Sequence, residues 1–174
     1  MNNFTNTSNA ELEALYESGE RQLINEINRL KLPKIVELSK KPEYVNLPPL
    51  SQRRILWDTV QQSRLIESFI ANIPVPPLVF YDQGYKSYEV IDGKQRTSTI
   101  QTFYQNQLRL NGLELYPELN GYTCNELPWK VRSTLDHRSL SIITIISSVE
   151  LTTDEALQLK QIAFERLNFG RSIS

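Results

Sequence analysis

The chain has 174 residues, of which 40% are hydrophobic and 22% charged, a composition that suits one globular domain with its own core. Its one cysteine, Cys124, and one histidine, His137, exclude an intramolecular disulfide and a zinc site built only from His and Cys. The net charge of −1 lacks the positive excess of a non-specific nucleic-acid binder. Neither a signal peptide nor an apolar run of ~20 residues is found, so we expect a cytoplasmic protein without membrane association.

The first 44 residues are predicted to form a helical extension. Ser8 and Glu11 have the spacing of a capping box, which marks the start of a helix. Apolar residues then recur at helical spacing over 12–30, and Pro33 is expected to end or redirect that helix. A short helix or turn is predicted over 35–41.

The remaining residues, 45–174, are predicted to mix strands and helices. The predicted elements are a helix over 58–70, strands over 78–81 and 85–91, a helix after Gly93, two short strands over 108–122, a helix over 126–135, a strand over 140–149 and a helix after a capping box at Thr152. The strand over 140–149 is apolar or β-branched at almost every position, so we expect it to be central and buried on both faces. The pattern predicts an α+β domain.

The strongest local feature is the segment Asp92-Gly93-Lys94-Gln95-Arg96, in which a strand runs through a glycine into a helix that continues with Thr97 and Ser98. Unpaired amides and the helix dipole favour an anion at such a start, and Gly93 lets the backbone approach closely. Arg96 and Lys94 can supply positive charge. These features predict a phosphate or nucleotide site. The same spacing equally fits Asp92 as a helix cap, with Lys94 and Arg96 as solvated surface residues.

Other candidate residues are less informative. The arginine pair 53–54 follows an extended proline segment, and it fits either a second anion contact or a surface loop paired with carboxylates. Glu67 and Glu89 are candidate magnesium ligands, although their spacing specifies no metal, so the metal stays open. The remaining candidates are better explained without a site: His137 in a surface loop, and Cys124 and Trp57 in the core.

Four segments, in chain order, carry a resemblance to a known family. They cover 51–57, 64–77, 88–96 and 164–168, and the third is similar to a hallmark Asp-Gly-Gln-Gln-Arg motif. The family is domain-of-unknown-function family 262, the N-terminal domain of GmrSD-type restriction proteins. The resemblance implies a ParB/sulfiredoxin-like fold for residues 45–174, a small mixed sheet flanked by helices, with residues 1–44 as an N-terminal helical segment.

The resemblance also implies a set of site residues. Members of this group bind nucleoside triphosphates at a comparable turn, and the resemblance implies that Gln52, Arg53, Asp92, Gly93, Gln95 and Arg96 line the site. With Lys94, Thr97 and Ser98 from the segment itself, the predicted nucleotide-binding residues are Gln52, Arg53, Gly93, Lys94, Arg96, Thr97 and Ser98. The implied catalytic residues are Asp92, Gln95 and Arg96, with magnesium as the ion if hydrolysis occurs. Lys94 departs from the hallmark, which has Gln there, and the base of the nucleotide is not specified.

The leading hypothesis is therefore a nucleoside-triphosphate-binding, hydrolysing domain of a bacterial or phage-related DNA restriction or antiviral defence system. The expected partners are a nucleotide, DNA, and an HNH-type nuclease in a separate domain or subunit, because this chain lacks the residues of such a nuclease. Three alternatives stay open. They are a DNA-backbone-binding module, a ParB-like nuclease without nucleotide dependence, and an interaction subunit that has lost turnover.

Overall fold

The computed structural model describes residues 8–18, 23–41, 45–46, 57–147 and 152–168. Its helices are α1 (Asn9–Glu17), α2 (Leu32–Ser39), α3 (Thr59–Ala71), α4 (Lys94–Tyr104), α5 (Trp129–His137) and α6 (Thr153–Asn168). Its strands are β1 (Leu23–Lys31), β2 (Val45–Asn46), β3 (Leu78–Asp82), β4 (Tyr88–Asp92) and β5 (Ser139–Ser147). The described chain is thus an α+β fold, as the sequence predicts.

The strands form one mixed sheet in the order β1-β5-β3-β4-β2. The pairs β1–β5 and β3–β4 are antiparallel, whereas β5–β3 and β4–β2 are parallel. The predicted hairpin of β3 and β4 is confirmed. The strand predicted over 140–149 is β5, which has a neighbouring strand on each side.

Helices cover both faces of this sheet. On one face, helices α2 to α5 enclose the larger core, to which the strands contribute Leu78, Phe80, Val90, Leu140 and Ile142. On the other face, α6 packs Ala156 and Ala163 against the alternate strand positions Val79, Tyr81, Ile91 and Ile145. Because successive side chains of a strand point to opposite faces, two covered faces require an almost continuously apolar strand. This explains the composition of β5.

The predicted helix over 12–30 is wrong beyond Glu17. Residues 23–31 are β1, which pairs with β5 at nine consecutive positions. The helical spacing of the apolar residues is outweighed here by pairing with β5. That pairing is a tertiary contact, which satisfies the backbone groups of the segment and which local periodicity cannot reveal. Pro33 does not end a helix but lies in the first turn of α2, where its missing N–H has no cost. Strand β1 and helix α2 both precede residue 45, yet they belong to the same sheet and core.

The two strands predicted over 108–122 are also wrong. The segment is an irregular loop with a 3₁₀ turn at Pro117–Leu119, and its main chain closes on itself through the Leu110 N–H and the Tyr122 carbonyl at 2.9 Å. The buried carboxylate of Glu67 on α3 accepts the backbone N–H groups of Glu114, Leu115 and Tyr116 at 2.7 to 3.1 Å. The loop is therefore held by a side chain from another element, and this removes the need for strand pairing.

The predicted helix starts are confirmed. Ser8, Asp58 and Thr152 each accept a hydrogen bond from the amide three residues later, and each donates its own backbone N–H to the side chain of that later residue. Helix α3 ends at Asn72 in the left-handed conformation, with a φ of 61°. None of the helices in the described ranges combines the length and the apolar character that a bilayer-spanning helix needs.

Candidate functional site

The segment that joins β4 to α4 is a tight turn built around Gly93. The residue has a φ of +99°, and its N–H donates to Asp92 Oδ1 at 2.8 Å. A Cβ at this position would overlap Leu78 Cδ2 and would lie 3.2 Å from Arg96 Nη2. Both the backbone conformation and the packing therefore require glycine. Close approach by the protein's own side chains accounts for this requirement without a ligand.

The Arg96 side chain is buried beneath this turn and is bound by the protein itself. Its Nη2 donates to Asp92 Oδ2 at 3.0 Å and to the Pro77 carbonyl at 3.1 Å. The side chains of this ion pair are only 8% and 15% exposed for Arg96 and Asp92. The Nε of Arg96 is buried without a hydrogen-bond partner, an unusual state for a charged group. The Nη2 group of Arg96 thus stabilises the turn, whereas its buried Nε–H has no hydrogen-bond partner.

A cavity of about 210 Å³ opens in front of the turn. Its described lining residues are Trp57, Ile91, Asp92, Gly93, Lys94, Gln95, Arg96 and Phe164. Lys94 is exposed at the start of α4, and the described residues offer it neither an ion pair nor a side-chain hydrogen bond. The cavity therefore combines a helix start, an exposed cation and two aromatic rings.

The two aromatic residues of the cavity were not predicted as site residues. Trp57 is predicted to lie in the core, and it does pack against the larger core, but it also lines the cavity. Its backbone N–H donates to Gln95 Oε1 at 3.5 Å. Phe164 is 48% exposed on α6. The signal in the sequence was that Phe164 opens the fourth segment of the family resemblance, 164–168.

Ion pairing fixes α6, and hence Phe164, beside the turn. Lys160 Nζ lies 2.8 Å from Glu89 Oε2 on β4 and 5.5 Å from the centroid of the Tyr81 ring. Phe164 follows Lys160 by one helical turn and so lies on the same side of α6. The contact between α6 and β4 is therefore the element that closes the cavity on this side.

The remaining predicted site residues are not gathered at the cavity. The Thr97 hydroxyl is buried and donates to the Gly93 carbonyl at 3.0 Å, so it serves the helix backbone. Ser98 is buried, and neither residue is among the described cavity lining. Gln52, Arg53 and Arg54 lie outside the described residues.

A second polar cluster surrounds the buried Cys124. Arg132 Nη1 lies 2.8 Å from Cys124 Sγ, its Nε donates to Asp136, and its guanidinium lies over the Tyr104 ring. Burial raises the pKa of the Cys124 thiol to about 11. Burial and the hydrogen bond to Asp136 raise the pKa of the Tyr104 hydroxyl well above its usual value. The thiol is therefore protonated and unreactive at neutral pH, which favours a structural role for the cluster.

The metal candidates of the sequence have other partners. The Glu67 carboxylate is occupied by three backbone amides, and Glu89 binds Lys160. Across the described ranges, no three His, Cys, Asp or Glu side chains lie close enough together to hold a metal ion. His137 is exposed, with Nδ1 2.7 Å from the Ser133 carbonyl of its own helix.

The fold and the cavity define a class of protein: an α+β domain whose strand–glycine turn–helix unit carries a cation and opens onto a cavity. A family model, GmrSD restriction endonuclease, N-terminal domain, matches residues 23–172. The chain belongs to this family, and it is thereby part of a restriction or defence system. No curated protein matches the chain.

Proposed function

We propose that this chain binds the phosphates of a nucleoside triphosphate in the Gly93 cavity, and that it does so as the nucleotide-dependent part of a DNA restriction system. The observation that carries the proposal is the cavity itself, because it opens at the start of α4 beside the exposed Lys94. The first amides of a helix have no intrahelical partner, and the helix dipole is positive at this end. Both effects favour a phosphate group.

Local charge supports an anionic ligand. Lys94 and Arg96 contribute two positive charges, and Asp92 contributes one negative charge that already neutralises Arg96. The surplus charge is therefore that of Lys94, which is exposed and can reach a phosphate as a point charge. The buried Nε of Arg96 is one further donor at the cavity wall, once a small movement exposes it.

The size of the cavity restricts which part of the nucleotide it holds. Its volume of about 210 Å³ is below the ~300 Å³ at which pockets for whole drug-sized ligands begin. We infer that the phosphates enter the cavity and that the nucleoside lies at its mouth. Trp57 and Phe164 supply ring surfaces there, and an aromatic ring can stack on any nucleobase. This arrangement does not discriminate between bases.

Hydrolysis would use the same residues. The Asp92 carboxylate lines the cavity, where Oδ1 accepts from the Gly93 N–H and Oδ2 accepts from Arg96 Nη2. In hydrolysis, this carboxylate would orient a water molecule or bind Mg²⁺, which would neutralise charge on the transferred phosphoryl group. Gln95 is the second candidate for positioning the water. Its Oε1 accepts from the backbone N–H of Trp57 at 3.5 Å, and both residues line the cavity.

The test is a calorimetric titration of the chain with ATP, GTP and CTP in the presence of magnesium, together with an assay of phosphate release. Lys94→Gln removes the charge and restores the residue that the family motif carries. Lys130→Gln is the matched control, because Lys130 is also exposed and lies at the start of α5. Loss of one charge-assisted contact of about 1.5–3 kcal/mol predicts roughly 10- to 100-fold weaker binding for Lys94→Gln and no change for the control. Equal affinity in wild type and Lys94→Gln would remove Lys94 from the site.

Binding and turnover separate the alternatives. Nucleotide binding without phosphate release indicates an interaction subunit that has lost turnover. Asp92→Asn distinguishes the two roles of the carboxylate, since it keeps a hydrogen-bond acceptor for Gly93 but removes the charge. Under the proposed function it lowers phosphate release more than affinity. Absence of any nucleotide binding by the folded wild-type chain would overturn the proposal.

A further inference from the structure

A second cleft, separate from the Gly93 cavity, lies between the end of β1, the start of β5 and the loop after α3. Its volume is about 330 Å³. Its polar lining residues are Arg29, Asn72, Arg138, Ser139 and Ser141, and the other described lining residues are apolar. No carboxylate is found among the lining residues that the structure describes. The cleft therefore has positive charge and hydroxyl donors without local acidic partners.

The register of β1 and β5 places Arg29 in this cleft and Lys31 beside its lining. Arg29 pairs with Ser141, and Lys31 pairs with Ser139. Directly opposed residues of an antiparallel pair have their side chains on the same face. Arg29 and Lys31 are exposed, and within the described chain neither side chain makes an ion pair or a hydrogen bond. Two uncompensated cations thus stand beside two serine hydroxyls.

The third cation, Arg138, is held in place by helix α3. Its Nε donates to the Phe69 carbonyl at 2.9 Å, and its Nη2 donates to the Ile70 carbonyl at 3.3 Å. These carbonyls belong to the last turn of α3, where helix carbonyls lack intrahelical partners. Two bonds fix the plane of the guanidinium, and its Nη1 makes no hydrogen bond within the described residues. An arginine that is oriented in advance loses little entropy when it binds a phosphate.

We propose that this cleft binds phosphate groups, and that their source is the backbone of a nucleic acid. Two lining arginines, two hydroxyls and an amide, with Lys31 beside them, form the donor set that proteins use for backbone phosphates. The overall charge of −1 does not oppose this proposal, because Arg29 and Arg138 line the same cleft and Lys31 pairs with Ser139 of its lining. Membership of a restriction family supplies the nucleic acid as the partner.

The position of the cleft strengthens this assignment. Val79 pairs with both Asp92 and Ile143, so the Gly93 turn and the start of β5 lie at the same end of the sheet. Ser139 and Ser141 also share the face of Ile143 and Ile145, which is the face that α6 covers. Strand β4 is three strands from β1, and a spacing of ~4.8 Å per strand places the two sites about 15 Å apart laterally. One extended nucleic acid can therefore pass the cleft while the Gly93 cavity stays open for its own ligand.

The experiment measures fluorescence anisotropy of labelled duplex and single-stranded DNA over a salt series, and nucleotide binding of the same samples. Arg29→Gln and Lys31→Gln are the test variants, because neither side chain has a described partner whose loss would unfold the chain. Arg64→Gln is the matched control, since Arg64 is exposed on α3, where it forms an ion pair with the exposed Glu114 and donates to the Gly112 carbonyl. Arg138→Lys keeps the charge of the third cation and removes its fixed orientation.

Each test variant is expected to weaken duplex binding about 5- to 10-fold near ~0.1 M salt, and to reduce the slope of log affinity against log salt by about 0.9. Arg64→Gln should leave both quantities unchanged. Weaker nucleotide binding in Arg29→Gln, with no DNA binding by any sample, would support the phosphate site with a free nucleotide as its source. Affinity for DNA and nucleotide that is the same in wild type, Arg29→Gln and Lys31→Gln would overturn the proposal. Lys94→Gln tests the Gly93 cavity independently, because the two sites share no residue.

Discussion

Replacement of Gly93 by alanine should destabilise the whole domain, for two separable reasons. The φ of +99° is unfavourable for any residue with a Cβ, which costs about 1–3 kcal/mol. In addition, the new methyl group would overlap Leu78 Cδ2, and Leu78 is fully buried and cannot move away. Overpacking of this kind costs a further ~1–3 kcal/mol. The sum, about 2–6 kcal/mol, is a large part of a typical domain stability of ~5–15 kcal/mol.

Gly84→Ala provides the matched control for this prediction. Gly84 also has a positive φ, +83°, but no atom lies within 4 Å of a Cβ built there. It therefore retains the backbone cost and lacks the packing cost. Urea unfolding, followed by circular dichroism, gives the free energy of unfolding of each variant. Gly93→Ala should lose at least ~1 kcal/mol more than Gly84→Ala. An equal loss in the two variants would refute the packing argument.

Two further predictions concern buried groups outside the cavity. Glu67→Gln presents an amide donor to three backbone donors, so we expect the free energy of unfolding to fall by about 2–4 kcal/mol, measured in urea with Gln61→Glu as an exposed control. Cys124 releases its proton near pH 11 when folded but near pH 9 when unfolded, so stability is lost as pH rises through this window, by up to about 1.4 kcal/mol per pH unit. Cys124→Ala should flatten this part of the pH profile; an unchanged profile would contradict the assignment.

Local signals in the sequence were sufficient for elements whose ends have their own chemistry. Capping boxes at Ser8 and Thr152 and a capping residue at Asp58 predicted three helix starts, and the apolar run of β5 predicted a strand between two covered faces. The prediction of β1 failed because a stripe at helical spacing is weaker than an edge-strand ladder formed with a segment more than 100 residues later. Pairing over such a separation leaves no local trace.

The loop over 108–122 failed for a related reason. Its Asn-Gly pairs are typical of hairpin turns, and Gly112 does adopt a φ of +68°. The partner that satisfies the loop's amides is nevertheless a carboxylate, Glu67, about fifty residues earlier in the chain. A buried carboxylate inside an amphipathic helix resembles any other helical glutamate in sequence. Its role appears only when the packing of α3 against the loop is known.

The sequence located the candidate site, but it did not show which of the site's residues support the turn and which are exposed to a ligand. Asp92 is the last residue of β4 and Arg96 lies in the first turn of α4, so the tight turn at Gly93 brings the two side chains together in a buried ion pair. An arginine bound in this way supports the turn first, and it has little freedom left to grip a ligand.

The exposed charge at the cavity then comes from Lys94, the position at which this chain departs from the family's Gln-Gln motif. A glutamine there can hydrogen-bond a phosphate but cannot neutralise it, whereas a lysine does both. Under the proposed function, this departure strengthens phosphate binding and leaves Gln95 as the remaining amide for positioning water. The affinity of Lys94→Gln, compared with its rate of phosphate release, therefore tests whether the substitution changed binding or turnover. Weaker binding with an unchanged maximal rate is the expected result.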